Sequence, residues 1–247
     1  MLSDKVAVIT GCNRGIGLRT LELFSENKAE IFACVRDISN EFLEKIKNIQ
    51  DKYKNKIFPI KFDLTDKGII SESVKQINSY DRNINIIVNN AAIIHNKLFQ
   101  LTKIEEFQKT FEINFFNQIF FVQGLLRNIS KTKNGSIIFL SSSAAQDGNI
   151  GRAAYSSSKA ALSAFSKVLS RELGPSKIRV NSISPGLTQT DMMINSTDKV
   201  YLENIVKEIP LKKIGDTLDI SKLILFLSSD LSNYITGQDL RIDGGLK

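Results

Sequence analysis

The sequence predicts an α/β fold: one domain with a doubly wound parallel sheet of about seven strands and helices on both faces. Short apolar runs rich in β-branched residues recur along the chain, and helical periodicity fills most of the intervals between them. Such alternation is typical of parallel strands joined by right-handed crossovers. With 247 residues, 42% of them apolar, the chain can bury one large core. The candidate strands are 6–10, 31–35, 57–62, 84–89, 136–140, 178–184 and 239–243.

The first candidate strand breaks into a glycine-rich turn. After residues 6–10 the chain reads Gly11-Cys12-Asn13-Arg14-Gly15-Ile16-Gly17, and a helical pattern follows. Glycines let the backbone approach a pyrophosphate closely, and the helix N-terminus adds partial positive charge. The spacing is GxxxGxG rather than GxGxxG. Its place after the first buried strand indicates a Rossmann-like nucleotide-binding loop, and an ordinary turn is the alternative.

A serine, a tyrosine and a lysine form a second pattern. Ser142 follows the apolar run 136–140, and Tyr155 and Lys159 lie four apart in a predicted helix over 153–173. Residues four apart share one helix face, so the Lys159 ammonium should lower the pKa of the Tyr155 phenol from about 10 toward working pH. Ser142 would hydrogen-bond a substrate oxygen. The pattern predicts proton transfer, and a solvated Tyr–Lys pair is the alternative.

Two further segments carry weaker signals. Thr102-Lys103-Ile104-Glu105 has the form of a capping box, which predicts that a helix begins near residue 102. Residues 189–210 show little periodicity and follow a strand end, where open α/β sheets bind ligands. We interpret this segment as a substrate lid, and an ordinary surface excursion is the alternative.

Composition and charge argue against several other functions. The net charge is +7, but the lysines are scattered and no nucleic-acid motif accompanies them, so we expect no nucleic-acid partner. Metal-ligand spacing is absent, and the single histidine, His95, has no GxSxG turn to serve. No run approaches the roughly 20 apolar residues of a membrane span. The absence of a signal-peptide pattern and the presence of only two cysteines predict a cytoplasmic protein.

Several motifs together resemble one family. The loop ending in Gly17, the segment Asn89-Asn90-Ala91-Ala92, and Asn114, Ser142, Tyr155 and Lys159 resemble the short-chain dehydrogenase/reductases. Within that family, the segments 181–186, 190–192, 235–238 and 243–245 are most similar to the 3-oxoacyl-(acyl carrier protein) reductases. The resemblance covers essentially the whole chain. It is specific for the family and only suggestive for the acyl substrate.

The resemblance implies a set of site residues. Tyr155 would be the general acid, Lys159 would assist it and hold the nicotinamide ribose, and Ser142 would polarise the substrate oxygen. Asn114 would bend its helix and hold a proton-relay water; a surface asparagine is the alternative. The implied cofactor-binding residues are Gly11, Asn13, Arg14, Gly15, Ile16, Gly17, Arg36, Asp63, Leu64, Asn90, Ala91, Tyr155, Lys159, Pro185, Gly186 and Thr188.

The end of the second strand bears on the choice between NAD and NADP. An acidic side chain there accepts hydrogen bonds from the ribose of NAD, whereas an arginine favours the extra phosphate of NADP. The family's acidic position falls on Val35, and Arg36 follows it. Arg14 in the glycine loop adds a second cation, so we expect NADP(H). Asp37 is the competing carboxylate, two residues further on.

The implied reaction is NADPH-dependent reduction of a 3-oxoacyl thioester, linked to acyl carrier protein, in fatty acid synthesis. The alternatives are reduction of another small carbonyl compound, such as a sugar intermediate of surface-polysaccharide synthesis, and a non-catalytic NADP-binding protein. An acidic carrier protein would need cations beside the pocket mouth. The resemblance points to Lys133, with Lys131 close by, and to position 176, where this chain has Ser176 followed by Lys177; ordinary surface lysines are the alternative.

The resemblance also implies a homotetramer packed through helices near 102–128 and 153–173. A phenylalanine-rich run exceeds what one core face requires and is consistent with an interface: Phe115, Phe116, Phe120 and Phe121.

Overall fold

The computed structural model describes residues 1–191, 193 and 199–246, and these form an all-parallel sheet of seven strands. The strand order is β3-β2-β1-β4-β5-β6-β7, which confirms the predicted doubly wound fold. The strands are β1 (Val6–Thr10), β2 (Glu30–Val35), β3 (Ile57–Lys61), β4 (Ile86–Asn89), β5 (Gly135–Leu140), β6 (Ile178–Pro185) and β7 (Asp239–Ile242).

Helices cover both faces of the sheet. They are α1 (Gly15–Glu26), α2 (Asn40–Tyr53), α3 (Lys67–Ser79), α4 (Ile104–Phe111), α5 (Asn117–Ile129), α6 (Ala144–Asp147), α7 (Ala153–Leu173), α8 (Lys199–Glu208) and α9 (Thr217–Ser228). Buried side chains of α1, α2 and α9 pack on one face, and those of α3, α5 and α7 pack on the other. Among the described helices, none has the length and apolar character that crossing a membrane requires.

The predicted start of β4 is shifted by side-chain hydrogen bonds. Strand β4 begins at Ile86 rather than at residue 84. Just before it, the amide oxygen of Asn128 accepts the Ile84 N–H at 2.8 Å, and that of Asn85 accepts the Val6 N–H at 2.9 Å. Side-chain amides thus satisfy backbone groups where the strand was expected to start.

The predicted capping box is wrong by one residue. Helix α4 begins at Ile104, and the Glu106 carboxylate accepts the backbone N–H of Lys103 at 2.8 Å. The Thr102 hydroxyl does not cap the helix, because it donates to the Leu98 carbonyl at 3.0 Å. Between α4 and α5 the chain makes one π-helical turn, Glu112–Phe116.

The order of the strands fixes where a ligand can bind. The chain runs outward from β1 to β2 and β3 on one side, and through β4 to β7 on the other. A crevice therefore opens beyond the carboxyl ends of β1 and β4, where connections diverge to opposite faces. At the base of this crevice the Thr10 hydroxyl oxygen accepts hydrogen bonds from the backbone N–H groups of Asn90 and Ala91, at 2.9 and 3.0 Å.

Candidate active site

A cavity of about 640 Å³ lies at the carboxyl edge of the sheet. It gathers most of the residues that the sequence singled out, from segments far apart in the chain. Those lining it are Gly11, Asn13, Arg14, Gly15, Ile16, Arg36, Asp63, Leu64, Asn90, Ala91, Ser142, Tyr155, Lys159, Pro185, Gly186 and Thr188. Gly17 and Asn114 lie behind its wall.

The glycine loop has the shape of a cradle for a phosphate group. A Cβ atom on Gly17 would lie 2.0 Å from the carbonyl oxygen of Gly11, so only glycine lets α1 begin this close to the strand. Gly15 lines the cavity with φ of +55°, in the left-handed region that favours glycine. Its backbone faces the cavity with no side chain in between, which fits the pyrophosphate of a dinucleotide.

Two arginines of the cavity pair with neighbouring carboxylates. Arg36 is the first residue beyond β2, and its Nε lies 3.6 Å from an oxygen of Asp37. Both side chains are largely exposed, so this ion pair is weak. Arg14 lies 3.7 Å from Asp191 at the start of the segment interpreted as a lid. The expected acidic position, Val35, is buried at the strand end.

Ser142 and Tyr155 meet at the end of β5. Ser142 lies two residues past Leu140, and its oxygen accepts the Ala144 N–H at 3.2 Å. Both hydroxyls line the cavity, and the Ser142 side chain is near enough to the phenol to affect its pKa. Burial raises the pKa of Tyr155, against smaller lowering effects of the Ser142 hydroxyl and the Arg152 charge. The phenol is therefore neutral at physiological pH.

The expectation that the Lys159 ammonium lowers the pKa of Tyr155 is wrong, because the pKa of Tyr155 is raised. Its Nζ donates to the Leu140 carbonyl at 2.5 Å and lies 5.9 Å from the centre of the Tyr155 ring. Because the side chain is only 2% exposed, burial lowers the pKa of Lys159 itself to about 7. In this geometry burial is the largest influence on the pKa of both Tyr155 and Lys159.

Asn114 lies at the centre of the π-helical turn and is fully buried. Its amide oxygen accepts the Ile93 N–H at 2.9 Å, and its nitrogen donates to the Ile93 carbonyl at 2.9 Å and the Ser158 hydroxyl at 3.2 Å. Ser158 in turn donates to the Tyr155 carbonyl at 2.7 Å. Asn114 thus connects the π-helical turn to the helix that carries the tyrosine and is not a surface residue.

The sequence interpretation missed a polar clamp behind Ser142. Arg241 on β7 binds Asp147 of α6 through two hydrogen bonds, at 2.6 and 3.0 Å. The same guanidinium binds Asp243 at 2.8 Å and the Leu246 carbonyl at 2.8 Å. No local sequence pattern predicts a contact between two residues that are 94 positions apart. The clamp fixes the short helix that follows Ser142.

The lysines expected beside the mouth of the cavity do not lie there in this chain. Lys131 and Lys133 precede β5, and Lys177 precedes β6, so all three lie at the amino edge of the sheet. The cavity lies at the carboxyl edge, roughly 20 Å away along the six residues of β5. These cations do not flank the mouth of their own cavity.

The segment interpreted as a lid contributes to the wall. The described residues that line the cavity from it are Thr190, Asp191, Met193, Ile205 and Glu208. Residues 192 and 194–198 of the segment lie outside the described part of the chain.

Comparison with known proteins identifies the family. A model for the family described as enoyl-(acyl carrier protein) reductase matches residues 11–247. The 3-oxoacyl-[acyl-carrier-protein] reductase of Buchnera aphidicola subsp. Baizongia pistaciae is 37% identical over 99% of this chain and 98% of its own.

Two solved structures share the fold. L-sorbose reductase of Gluconobacter frateurii, complexed with NADPH and L-sorbose, superposes with a TM-score of 0.91 at 27% identity, over 99% of this chain and 97% of its own. A 7α-hydroxysteroid dehydrogenase complexed with NADH gives 0.92 at 29% identity, over 99% and 94%. Because the family model and the relative span nearly its full length, this chain belongs to the short-chain dehydrogenase/reductases, oxidoreductases that act on CH–OH and C=O groups.

Proposed function

We propose that this protein catalyses the NADPH-dependent reduction of a 3-oxoacyl thioester, carried by an acyl carrier protein, to the 3-hydroxyacyl form. The observation that carries the proposal is that the hydroxyls of Ser142 and Tyr155 line one cavity beside the buried Lys159. The reductase of Buchnera supports the acyl substrate through its 37% identity. We place the enzyme in the cytoplasm, where the buried thiols of Cys12 and Cys34 stay reduced.

Each residue of the pair has a definable task. A carbonyl oxygen in the cavity would accept hydrogen bonds from both hydroxyls, which stabilise the negative charge that develops on it. Tyr155 then transfers its proton to that oxygen, and burial keeps this phenol protonated beforehand. Lys159, adjacent and buried, is placed to restore the proton. The hydrogen bond from Arg241 to Asp147 fixes the position of the segment that follows Ser142.

The cofactor would lie along the carboxyl edge of the sheet. Bound NADPH would supply the hydride that the carbonyl carbon accepts. The glycine loop would hold the pyrophosphate, Asp63 and Asn90 would border the adenosine, and Pro185 to Thr188 would border the nicotinamide. The two solved relatives carry NADPH and NADH respectively, so the fold alone does not choose between them. Arg36, which lines the cavity directly after β2, favours NADPH.

Reduction of another small carbonyl compound is the second candidate. It is favoured by the structural similarity to L-sorbose reductase, with a TM-score of 0.91. A non-catalytic NADP-binding protein fits less well, because dinucleotide binding alone does not require two hydroxyls in one cavity beside a buried lysine.

A substrate panel tests the proposal. Purified protein is given NADPH and, in turn, acetoacetyl-carrier protein, a short acetoacetyl thioester and L-sorbose, and NADPH consumption is followed. We expect turnover of both thioesters, with the higher kcat/KM for the carrier-linked one. Turnover of the sugar alone would establish the second candidate. Tight NADPH binding without turnover of any carbonyl compound would establish the third.

A further inference from the structure

Next to the tyrosine lies an arginine that has no ionic partner among the described residues. Arg152 is half-buried, lines the cavity and immediately precedes α7, three residues before Tyr155. Burial raises the pKa of Tyr155, and the charge of Arg152 is among the effects that oppose this rise, which places the guanidinium within electrostatic reach of the phenol. The backbone N–H of Arg152 donates a hydrogen bond to the Asn149 carbonyl at 3.1 Å.

The other basic side chains that line the described part of the cavity all have partners. Arg14 pairs with Asp191 at 3.7 Å, and Arg36 pairs with Asp37 at 3.6 Å. Lys159 donates to the Leu140 carbonyl at 2.5 Å. For the Arg152 side chain, by contrast, the structure gives neither a hydrogen bond nor an ion pair with any described residue.

The nearest carboxylate in sequence is already occupied. Asp147 lines the same cavity five residues earlier, but both its oxygens accept hydrogen bonds from Arg241, at 2.6 and 3.0 Å. Glu208 lines the cavity from α8 and forms no ion pair with Arg152. A half-desolvated guanidinium is costly without a counter-ion, and no described residue supplies one, so its five donors can bind an anion that enters the cavity.

We propose that Arg152 binds a carboxylate of the substrate, and that this protein therefore also reduces short 3-oxo acids. The proposal rests on the carbonyl reduction proposed above and extends its substrates from neutral thioesters to free acids. Residues three apart at a helix start are neighbours, with Cβ atoms about 5–6 Å apart. A 3-oxo acid has its carboxylate two bonds from the carbonyl carbon, so one small molecule can reach both Tyr155 and Arg152.

The reaction is a balanced two-electron reduction. The carbonyl carbon accepts a hydride from NADPH, which is oxidised to NADP⁺, and the carbonyl oxygen accepts the proton of Tyr155. The C=O bond becomes CH–OH, and the carboxylate stays unchanged in its hydrogen bonds to the guanidinium. Arginine suits this task, because its planar fork binds both oxygens of a carboxylate.

The test compares acetoacetate with its methyl ester, which has the same carbonyl group and no charge. In Arg152→Gln, we expect the ratio of kcat/KM for acid over ester to fall about 10- to 100-fold, mainly through the KM of the acid. Arg152→Lys should restore part of the ratio. Any effect of Arg152 on the Tyr155 proton acts on both substrates and cancels in the ratio. An unchanged ratio would overturn the proposal.

A matched control excludes a general effect of charge. Arg171→Gln makes the same change at the other end of α7, about 28 Å along the helix axis, and should leave the ratio unchanged. A fall as large as in Arg152→Gln would attribute the effect to net charge and overturn the proposal.

A binding measurement separates this proposal from the proposed function. Calorimetry of the NADP⁺-saturated protein should show butyrate binding to wild type, no binding of butyramide, and loss of butyrate binding in Arg152→Gln. If wild type reduces no thioester, ester or acid, the proposed reduction fails, yet this binding pattern would still uphold the carboxylate site. Equal butyrate binding by wild type and Arg152→Gln would refute it.

Discussion

Burial governs the protons of the two catalytic candidates. The phenol of Tyr155 and the ammonium of Lys159 are both in the protein interior, and burial favours the neutral form of each. A neutral tyrosine is a proton donor, which suits carbonyl reduction. A lysine with a pKa of about 7 can gain or lose a proton at physiological pH, which suits reprotonation of that tyrosine.

The depressed pKa of Lys159 predicts how stability depends on pH. Above pH 7 the folded protein has released this proton, whereas the unfolded chain keeps it until about pH 10.4. The unfolded state binds more protons in that window, so the free energy of unfolding should rise with pH from 7 to 10. Lys159→Met should reduce the rise between pH 7 and 9 by on the order of 2 kcal/mol, measured by urea titration.

A second lysine provides the control for this measurement. Lys75→Met, on the exposed side of α3, should keep the pH dependence of wild type. Parallel stability profiles for wild type and Lys159→Met would show that the buried ammonium is not destabilised in the folded protein.

From the positions of Arg36 and Asp37 we predict that the protein prefers NADPH to NADH. Arg36→Gln should raise the Kd of NADPH about 10- to 100-fold and change that of NADH little, because only NADPH carries the phosphate that a guanidinium binds. Asp37→Asn should tighten NADPH binding, since it frees Arg36 from its ion pair. Fluorescence titration measures both. Equal losses for the two cofactors in Arg36→Gln would contradict the assignment.

At the scale of elements, the π-helical turn fixes the tyrosine helix. Asn114 holds Ile93 through two hydrogen bonds and reaches Ser158, which bonds the Tyr155 carbonyl. The turn thereby couples the segment after β4 to the start of α7. Its position depends on contacts between three segments of the chain.

Asn114→Ala should be strongly destabilising. It leaves the half-buried N–H and C=O groups of Ile93 without their partner and opens a gap where the buried Asn114 amide was, at an expected cost of about 2–4 kcal/mol in the free energy of unfolding. The exposed Asn83→Ala provides the control and should stay within about 0.5 kcal/mol of wild type in denaturant titration. A similarly small effect in Asn114→Ala would show that water replaces the amide.

Local patterns predicted the elements well and the distant contacts poorly. The alternation of apolar strands and amphipathic helices predicted all seven strands, because sheet burial imposes it on the sequence. Helical spacing placed Tyr155 and Lys159 together. It did not indicate that Lys159 would donate to the Leu140 carbonyl, or that Arg241 would bind Asp147. Each of these contacts joins a helix to a strand that is distant in the sequence. The expected place of Lys131, Lys133 and Lys177 beside the cavity of their own chain was wrong for the same reason: sequence distance from Ser142 does not reveal the sheet edge.

At the scale of the whole molecule, apolar side chains of the π-helical turn, α5 and α7 are exposed. Phe116 is 52% and Phe120 40% exposed, one helical turn apart, while Phe121 packs in the core. Val168 on α7 is 55% exposed. Apolar side chains on these two helices support the proposed homotetramer, since such surfaces usually mark protein contacts.

Light scattering tests the assembly. We expect four chains of 27.6 kDa, about 110 kDa, at micromolar concentration. Replacing both Phe116 and Phe120 by Glu should lower that mass, whereas Leu43→Glu on α2 should not. A monomeric wild type would contradict the proposal.

The central claim is that Tyr155 donates the proton in carbonyl reduction, and Tyr155→Phe tests it most directly. This change keeps the ring and removes only the hydroxyl. The account predicts a fall in NADPH-dependent reduction of an acetoacetyl thioester by about 10²- to 10⁴-fold, with the thermal midpoint and NADPH affinity close to those of wild type. A variant that folds, binds NADPH and reduces the thioester at the wild-type rate would contradict it.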